Sequence, residues 1–254
     1  MSLIPKSHPR AKSLYIREKL VQGFDDGLVA KEGLMAHGRG ETFDYLLGEK
    51  TSKYAQNAIH AAAFLLSNAT YPVISVNGNI AALCPKEIVK LAKVANAKIE
   101  VNLFYGDEKR KQRIVKVLKN SGAKEILGID KKTSAILGGI DSARRNVDRN
   151  GILAADVVIV PLEDGDRTRA LREAGKKVIT FDLNPLSRTA QTANITIIDN
   201  VIRAIDLLIK WCEKLSKKEQ ADIQEIVEKF DNKKNLSESI IDIRNNLARR
   251  ARHA

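Results

Sequence analysis

Residues 178–200, VITFDLNPLSRTAQTANITIIDN, contain two short apolar segments, each followed by a polar cluster, with a connector containing Pro, Ser and Arg between them. Continuous apolar runs of this kind, rather than alternating ones, are typical of strands in a parallel sheet covered on both faces. Similar runs rich in Val and Ile recur along the chain, separated by amphipathic stretches. Strands are therefore predicted at residues 71–77, 98–103, 125–129, 156–161, 177–182 and 194–198.

The stretches between the predicted strands have helical character. Helices are predicted at residues 85–97, 106–122 and 164–175. Gly122 and Gly175 follow two of these helices, where a left-handed cap favours glycine. The alternation of strands and helices predicts an α/β fold built as a doubly wound, mostly parallel sheet.

Two helical flanks adjoin this core. A single compact unit is expected, made of a helical N-terminal flank at 1–54, a nucleotide-binding core at 55–211 and a helical extension at 212–254. In the N-terminal flank the sequence predicts a helix within 9–29, a glycine-rich turn at 37–40 and a helix at 42–47. A further helix is predicted at 51–69. The tail predicts helices at 217–230 and 236–252. Apolar residues at helical spacing in the first of these require a surface to pack on: Ile223, Ile226, Val227 and Phe230.

The composition excludes several classes of protein. No run of about 18 apolar residues is present, so no membrane span is expected, and the N-terminus lacks the apolar core of a signal peptide. Cys84 and Cys212 are too few and too far apart for a disulfide scaffold or a zinc site. A cytoplasmic protein with no protein-bound metal is expected.

The net charge of +12 has two interpretations, a nucleic-acid binder or an enzyme for anionic metabolites. The basic residues are mostly interleaved with Glu and Asp, and the aromatic residues, 5% of the chain, form no cluster for base stacking. Anionic small molecules are therefore favoured as ligands over nucleic acid.

Polar residues follow the two apolar segments of 178–200. Asp182 and Asn184 follow the first segment, and Asp199 and Asn200 follow the second. In an open α/β sheet, ligands bind at the carboxyl ends of the strands. Asp and Asn at such positions can bind ribose hydroxyls and the edge of a base, and a hydroxyl or guanidinium between them can hold phosphate. The connector provides such groups: Ser187, Arg188 and Thr189.

The segment AHGRGE, residues 36–41, predicts an anion site at a turn. His37 and Arg39 are interleaved with Gly38 and Gly40, just before the helix predicted at 42–47. Glycines let the backbone approach an anion, and a helix N-terminus adds favourable partial charge. A plain glycine turn with an exposed Arg is the simpler interpretation, but the density of His, Arg and Glu favours a functional site.

Three further segments offer candidates. In SVNGN, Asn77, Gly78 and Asn79 either direct amides into a crevice or form a structural turn. Asn102 follows the next strand on the same rim, and Arg144 can clamp a phosphate, although an exposed surface Arg is the commoner case. In PLEDGDRT the carboxylates either reach Mg²⁺ through water or cap the following helix, which is slightly favoured: Glu163, Asp164 and Asp166.

Together these segments resemble the archaeal 4-phosphopantoate–β-alanine ligase family, also called phosphopantothenate synthetase. The matching stretches run from Ile4 to Asn200: IPKSHPRAKSLYIREKLVQG, GLMAHGRGETFDYLLGE, PVISVNGNIAAL, AKIEVNLFY, ADVVIVPLEDGDRT and VITFDLNPLSRTAQTANITIIDN. The match is specific because the stretches are long and unusual.

The resemblance implies a Rossmann-like core, a homodimer and a step of coenzyme A biosynthesis. ATP, with Mg²⁺ bound through it, activates the carboxylate of 4-phosphopantoate, and β-alanine then gives 4'-phosphopantothenate, AMP and diphosphate. It implies ATP contacts at Arg17, Arg39, Asp182, Leu183, Asn184, Ser187, Arg188, Asp199 and Asn200. Taken alone, Arg17 predicts only a solvated helix face, and the resemblance gives it a role.

The residues themselves leave other roles open. His37 is a candidate catalytic base or a phosphate ligand, with Arg39 as a second catalytic candidate. The acid is expected near Asn77, Gly78, Asn79, Asn102 and Arg144. Two alternative functions use the same features: a phosphotransferase that forms ADP, and a basic nucleic-acid-binding protein.

Overall fold

The computed structural model describes residues 4–5, 7–162, 164–215 and 227–252. Its strands in chain order are β1 (Pro72–Val76), β2 (Lys98–Val101), β3 (Ser134–Ile136), β4 (Asn146–Asp148), β5 (Val157–Ile159), β6 (Lys177–Phe181) and β7 (Ile195–Ile197). Five of them form one parallel sheet in the order β2-β1-β5-β6-β7, and β3 and β4 form an antiparallel hairpin. The predicted α/β fold with a parallel sheet is confirmed.

A row of isoleucines crosses the sheet in register. Ile74 pairs with Ile99 on one side and Ile159 on the other, and Ile179 and Ile195 continue the row to β7. All five are buried in the same hydrophobic cluster. Side chains alternate between the faces of a strand, so their neighbours in sequence face the opposite side. Burial of both faces explains why the strands are continuously apolar in sequence.

The helices are α1 (Ala11–Asp25), α2 (Lys31–Leu47), α3 (Lys53–Ser67), α4 (Gly78–Leu83), α5 (Pro85–Val94), α6 (Glu108–Asn120), α7 (Gly165–Glu173), α8 (Arg188–Thr192), α9 (Val201–Leu215) and α10 (Asn232–Ala251). The helices α3, α5, α6 and α9 contribute to the cluster that contains the isoleucine row. The hairpin and α7 pack on the other face, where Leu171 meets Val158 and Val178. Gly122 and Gly175 have positive φ at the ends of α6 and α7, as predicted.

Helix α10 covers the β7 edge of the sheet. The amide of Asn232 accepts from the Thr196 backbone N–H at 2.8 Å, and the Asn235 amide donates to the Thr196 carbonyl at 2.8 Å. An unpaired strand edge invites association with other strands, and side-chain bonds of this kind satisfy it. The C-terminal extension therefore satisfies backbone groups at the edge of β7.

The strand order determines where a ligand should bind. Counting only the sheet strands, the order is 2-1-3-4-5, the flavodoxin-like version of the doubly wound sheet. Its topological switch point lies between β1 and β5, and the crevice outside the carboxyl ends of these strands is the usual binding position.

One strand prediction was wrong, and one strand pair was missed. Residues 125–129 do not form a strand: only Leu127 pairs, in an isolated bridge to Glu100 beside β2. The next residue, Gly128, has φ +82° and turns the chain away. The β3–β4 hairpin was not predicted, since its strands have only three residues each.

In the tail, most of the helix predicted at 217–230 lies outside the described residues, including Ile223 and Ile226. Val227 and Phe230 are described, and both pack against the main cluster. A search of the described helices for one long and apolar enough to span a membrane found none.

Candidate functional site

A cavity of about 820 Å³ lies outside the carboxyl ends of the strands, at the switch point of the sheet. Its wall is formed by α2, the starts of α4, α6, α7 and α8, and the loops after β2, β5 and β6. Most of the predicted site residues line it: His37, Arg39, Asn77, Gly78, Asn79, Arg144, Asp182, Leu183, Asn184, Ser187 and Arg188. Those that do not line it are Arg17, Asn102, Asp199 and Asn200.

The segment AHGRGE is helical, so the predicted turn and the helix start at Thr42 were wrong. Helix α2 runs without interruption from Lys31 to Leu47. An interior glycine costs a helix only about 1 kcal/mol relative to alanine. Burial of Leu47 against Leu183 and Leu236 offsets such a cost. The helix therefore presents His37, Arg39 and Gly40 sideways to the cavity and offers no N-terminus there.

The surroundings of His37 favour the neutral form of its imidazole. Burial lowers its pKa, and the charge of Arg17 lowers it further, while Glu41 and Asp44 act in the opposite direction. A neutral imidazole can accept a proton, whereas a cationic phosphate ligand would require a raised pKa. In the free protein the lowered pKa of His37 therefore favours a base at this position.

The loop after β6 is organised by the side chains that the sequence singled out. Asp182 accepts from the Asn184 backbone N–H at 2.9 Å and from the Ser187 hydroxyl. The Ser187 hydroxyl also accepts from the Ala190 N–H at 2.9 Å, which caps α8. Burial raises the pKa of Asp182, opposed by these two hydrogen bonds and by the charge of Arg39. These residues shape the loop as well as lining the cavity.

Arg188 is an exposed cation of the wall. Its side chain is 82% exposed and lies 3.6 Å from Asp166, at the start of α7. The Arg188 Cβ lies so close to Gly165 that a side chain there would collide with it. The glycine thus allows α7 and α8 to meet at the cavity.

Asn77 and Asn79 of the SVNGN segment line the cavity and also make structural hydrogen bonds. Asn77 caps α4 by accepting from the Ile80 N–H at 3.1 Å, and its amide donates to the Pro161 carbonyl at 3.0 Å. Its φ of −106° is not left-handed. Gly78 begins α4 against the Leu28 carbonyl, where no Cβ fits. Asn77 therefore ties the ends of β1 and β5 together across the switch point.

Arg144 is buried, contrary to the expectation of an exposed surface residue. It is 7% exposed, and its Nε lies 3.5 Å from the Asp164 carboxylate. Asp164 stands at the N-cap position of α7 without a side-chain cap bond, so the favoured capping role was wrong for this side chain. Asn102 lies behind the wall and donates to the Asn146 carbonyl at 2.9 Å and the Arg144 carbonyl at 3.4 Å.

Arg17 contacts α2 rather than the cavity. Its Nε bonds both carboxylate oxygens of Glu41, at 3.0 and 2.9 Å, and Tyr45 donates to the same carboxylate. The hydrogen bond to Glu41 raises the pKa of Arg17. Glu41 lies one helical turn after His37, so this pair fixes the face of α2 that carries the imidazole.

Asp199 and Asn200 belong to a buried ionic cluster. Arg203 donates to Asp44 at 3.0 and 2.6 Å and to Asp199 at 3.0 and 2.5 Å. The side chain of Asp199 is fully buried, and Thr51 donates to it at 2.6 Å. Asn200 donates to Asp44 at 3.1 Å. The cluster joins the C-terminal half of α2 to the start of α9, beside the cavity.

Several residues that build the site carried no distinctive sequence signal. Arg110 and Arg203 lie on helices rich in charge, where their spacing predicts only a solvated face. Phe104 and Tyr105 line the cavity and lie at the end of the stretch AKIEVNLFY. Aromatic residues alone do not indicate a site for anions. Their position directly after a strand was the one available signal.

No group of three or more metal-ligating side chains occurs among the residues that the structure describes. Both cysteines are buried and free, and burial raises the pKa of Cys212 to about 12. The cavity wall contains the carboxylates of Glu32, Asp164 and Asp182, which form no such group of ligands, and this suits Mg²⁺ carried by substrate phosphates rather than a dedicated protein cage.

Comparison with known proteins identifies the family. A chain named 4-phosphopantoate–β-alanine ligase from Thermococcus kodakarensis is 50% identical over 249 residues, which cover 98% of this chain and 95% of the relative. Proteins of the same name from Methanosarcina mazei and Methanospirillum hungatei are 47% and 50% identical, covering 97% and 85% of this chain and 96% and 88% of their own. The family model for phosphopantothenate/pantothenate synthetase matches residues 54–246. The chain therefore belongs to the phosphopantothenate/pantothenate synthetase family.

Proposed function

We propose that the protein is an ATP-dependent ligase that joins (R)-4-phosphopantoate to β-alanine, forming 4'-phosphopantothenate, AMP and diphosphate in coenzyme A biosynthesis. The observation that carries the proposal is the cavity at the switch point, considered with the names of the relatives. Among the described residues, the wall contains arginines from separate elements: Arg39, Arg110, Arg144 and Arg188. A ligase that holds two anionic substrates together requires such cations.

The chemistry runs in two balanced steps. An oxygen of the substrate carboxylate attacks the α-phosphorus of ATP, the bond to the β-phosphate oxygen breaks, and diphosphate leaves with the electron pair. The neutral amine of β-alanine then attacks the acyl carbon, AMP leaves, and the amine loses a proton. No covalent intermediate with the protein is needed, so the work of the site is positioning and charge neutralisation.

The residues have distinct proposed roles. Arg39, together with the loop that contains Asp182, Leu183, Asn184, Ser187 and Arg188, binds ATP. Arg39 also neutralises charge on the reacting phosphate. His37, neutral because of its burial, accepts the proton from the attacking amine. We place the acid toward Asn77, Gly78, Asn79 and Arg144, with Asn102 supporting Arg144 from behind.

Arg17, Asp199 and Asn200 remain proposed ATP contacts implied by the family resemblance. Their present partners are Glu41, Arg203 and Asp44. Nucleotide contact therefore requires Arg17 to exchange Glu41 for ATP, and Asp199 to share its carboxylate with Arg203. In this proposal the N-terminal flank, residues 1–54, contributes residues to the active site.

ATP brings Mg²⁺ with it in this proposal. Mg²⁺ retains several waters and binds substrate phosphates together with one or two carboxylates. Asp164, with a side chain 51% exposed at the cavity, is the candidate to bind it through water. Bound in this way, the ion neutralises charge on the phosphate oxygens. We further propose a cytoplasmic homodimer that acts on small molecules and binds neither membrane nor nucleic acid.

The test is an incubation with ATP, 4-phosphopantoate and β-alanine, followed by separation of the nucleotides and products. Equal amounts of AMP and 4'-phosphopantothenate are expected. Formation of ADP without AMP would replace the ligase by a phosphotransferase. Lack of any ATP affinity, with salt-sensitive RNA or DNA binding that survives Arg39→Ala and Asp182→Ala, would favour the nucleic-acid alternative.

A further inference from the structure

Two arginines from distant parts of the chain line the same end of the cavity. Arg110 lies in the first turn of α6, and Arg144 lies in a short 3₁₀ turn, Ala143–Arg145, before β4. Leu103, Phe104 and Tyr105 form the apolar wall around them. Arg39 and Arg188 reach the cavity from α2 and α8 instead. The cations therefore form two groups, and within the group that contains Arg110 and Arg144 only Arg110 has no role yet.

Arg144 is buried on this wall, and its guanidinium is held by contacts with Phe104 and Asp164. Its guanidinium lies 5.9 Å from the centre of the Phe104 ring and pairs with Asp164 at 3.5 Å. Burial lowers its pKa to about 9, and the charges of Arg167 and Arg110 contribute to this shift while Asp164 opposes it. Like charges held near each other raise the affinity of a site for an anion, because the anion relieves their repulsion.

Arg110 is oriented from two directions. Asp107 caps α6 by accepting from the Lys109 and Arg110 backbone N–H groups, at 2.9 and 3.2 Å. The Arg110 Nη2 donates to the Tyr105 carbonyl at 2.8 Å. Holding the guanidinium against the backbone of the cavity wall removes much of the rotamer freedom that a surface arginine would lose on binding.

The loops that carry the two arginines are tied together. The Asn102 amide donates to the carbonyls of Arg144 and Asn146, joining the segment after β2 to the segment before β4. A Cβ on Gly106 would lie 3.4 Å from the Ala143 Cβ, so the two segments also pack closely. The relative position of the arginines is therefore set by the fold before any ligand arrives.

We propose that Arg110 and Arg144 together bind the phosphate group of the acid substrate, which makes Arg110 a specificity residue for a phosphorylated acid. This inference rests on the proposed ligase function. ATP then occupies the end near Arg39 and Ser187, and the carboxylate of the acid faces the nucleotide across the switch point. Arginine suits this task because its planar fork binds phosphate through two hydrogen bonds.

The test substitutes Arg110→Gln and measures binding and turnover separately. Calorimetric affinity for 4-phosphopantoate, and kcat/KM for it in AMP formation, should both fall about 10- to 100-fold, since a charged hydrogen bond is lost. The kcat/KM for unphosphorylated pantoate, supplied at high concentration, and the KM for ATP should change less than about threefold. Lys109→Gln is the matched control, because it removes one exposed charge from the adjacent position of α6 outside the cavity wall.

The outcomes separate the two proposals. If wild-type protein makes no AMP but Arg110→Gln still weakens 4-phosphopantoate binding, the ligase function fails and the phosphate site stands. If AMP forms and Arg110→Gln leaves the preference for 4-phosphopantoate over pantoate unchanged, the phosphate site is overturned. An equal loss with Lys109→Gln would also overturn it, since the effect would then be one of general charge. Arg144→Lys, which keeps the buried charge but loses the fork, should reduce the same preference without loss of thermal stability beyond a few degrees.

Discussion

Gly40 occupies a position in α2 where the fold alone would prefer alanine. It lies inside the helix and is absent from the described glycines with positive φ. A Cβ added there would meet the Leu183 Cδ1 at 3.8 Å, an ordinary van der Waals contact. Glycine in a helix interior costs roughly 0.5–1 kcal/mol relative to alanine. The free protein therefore gives no structural reason for the missing methyl group.

The cavity supplies a reason, because Gly40 lines it beside Arg39. We predict that Gly40→Ala stabilises the protein and weakens ligand binding. A gain of roughly 0.5–1 kcal/mol should raise Tm by about 1–3 °C for a chain of this length. A methyl group placed where a ligand packs should cost about 1–3 kcal/mol, which raises the KM for ATP about 5- to 150-fold. Differential scanning calorimetry and AMP formation measure the two effects.

Gly38→Ala provides the control. Gly38 lies in the same helix, its added Cβ would meet nothing within 4 Å, and it does not line the cavity. It should give the same rise in Tm with an unchanged KM for ATP. A rise in Tm for Gly40→Ala with unchanged KM for both ATP and 4-phosphopantoate would refute the close approach of a ligand. A fall in Tm would refute the relaxed helix on which the argument depends.

Three further predictions concern the surroundings of the cavity. Arg203→Met should lower the free energy of unfolding in urea at pH 7 by about 3–5 kcal/mol, because two buried aspartates lose their cation, and a loss below about 1 kcal/mol would contradict this. Burial lowers the pKa of His37 below its ordinary value of 6.5. In the single-turnover reaction of β-alanine with the acyl-adenylate formed in the first step, the acid limb caused by His37 should therefore lie below pH 6.5 and disappear in His37→Gln, and an unchanged limb would assign it to another group. Asn102→Ala leaves two backbone carbonyls without their side-chain donor, and it should raise the KM for 4-phosphopantoate while leaving that for ATP unchanged; equal effects on both would mean a general loss of structure.

The sheet was predictable because burial on both faces leaves a strong sequence signal. The strands β1, β2, β5, β6 and β7 each fall within a predicted apolar run. The failure at 125–129 has a local cause: Gly128 takes a positive φ, and a side chain there would collide with the Val101 carbonyl. An apolar run in the sequence does not show whether the segment forms a full strand or only a single bridge at the edge of β2. The hairpin strands are short and partly exposed, so they lack the apolar run altogether.

The α2 error shows how tertiary contacts override local signals. Two glycines within three residues predict a turn, and a turn residue cannot be distinguished from a helix residue by identity alone. In the structure, α2 is stabilised because its apolar residues pack on Leu183 and on α10, about 140 to 200 residues later in the chain. Single-sequence reasoning has no access to such contacts. The same limitation hid Arg203, whose partners Asp44 and Asp199 are separated by more than 150 residues.

The sequence singled out cavity residues after strands and on helices alike, but it did not predict that His37 and Arg39 are carried by a continuous helix. Asp182 and Asn77 follow strands, and the rule that ligands bind at carboxyl strand ends places them correctly at one cavity. Asp199 also follows a strand, the edge strand β7, and in the free protein it pairs with Arg203 beside the cavity instead of lining it. Distance from the switch point, which only the strand order reveals, separates these cases.

The distribution of cations around the cavity explains why this topology suits a reaction between two anions. ATP and a phosphorylated acid repel each other, so a site that brings a carboxylate to the α-phosphorus must neutralise both from opposite sides. The switch point provides these sides, because chain segments leaving β1 and β5 diverge there and leave a crevice between them. Arg110 and Arg144 reach it from the β2 side, and Arg188 reaches it from the β6 side. The crevice between them is where the carboxylate and the α-phosphorus would meet.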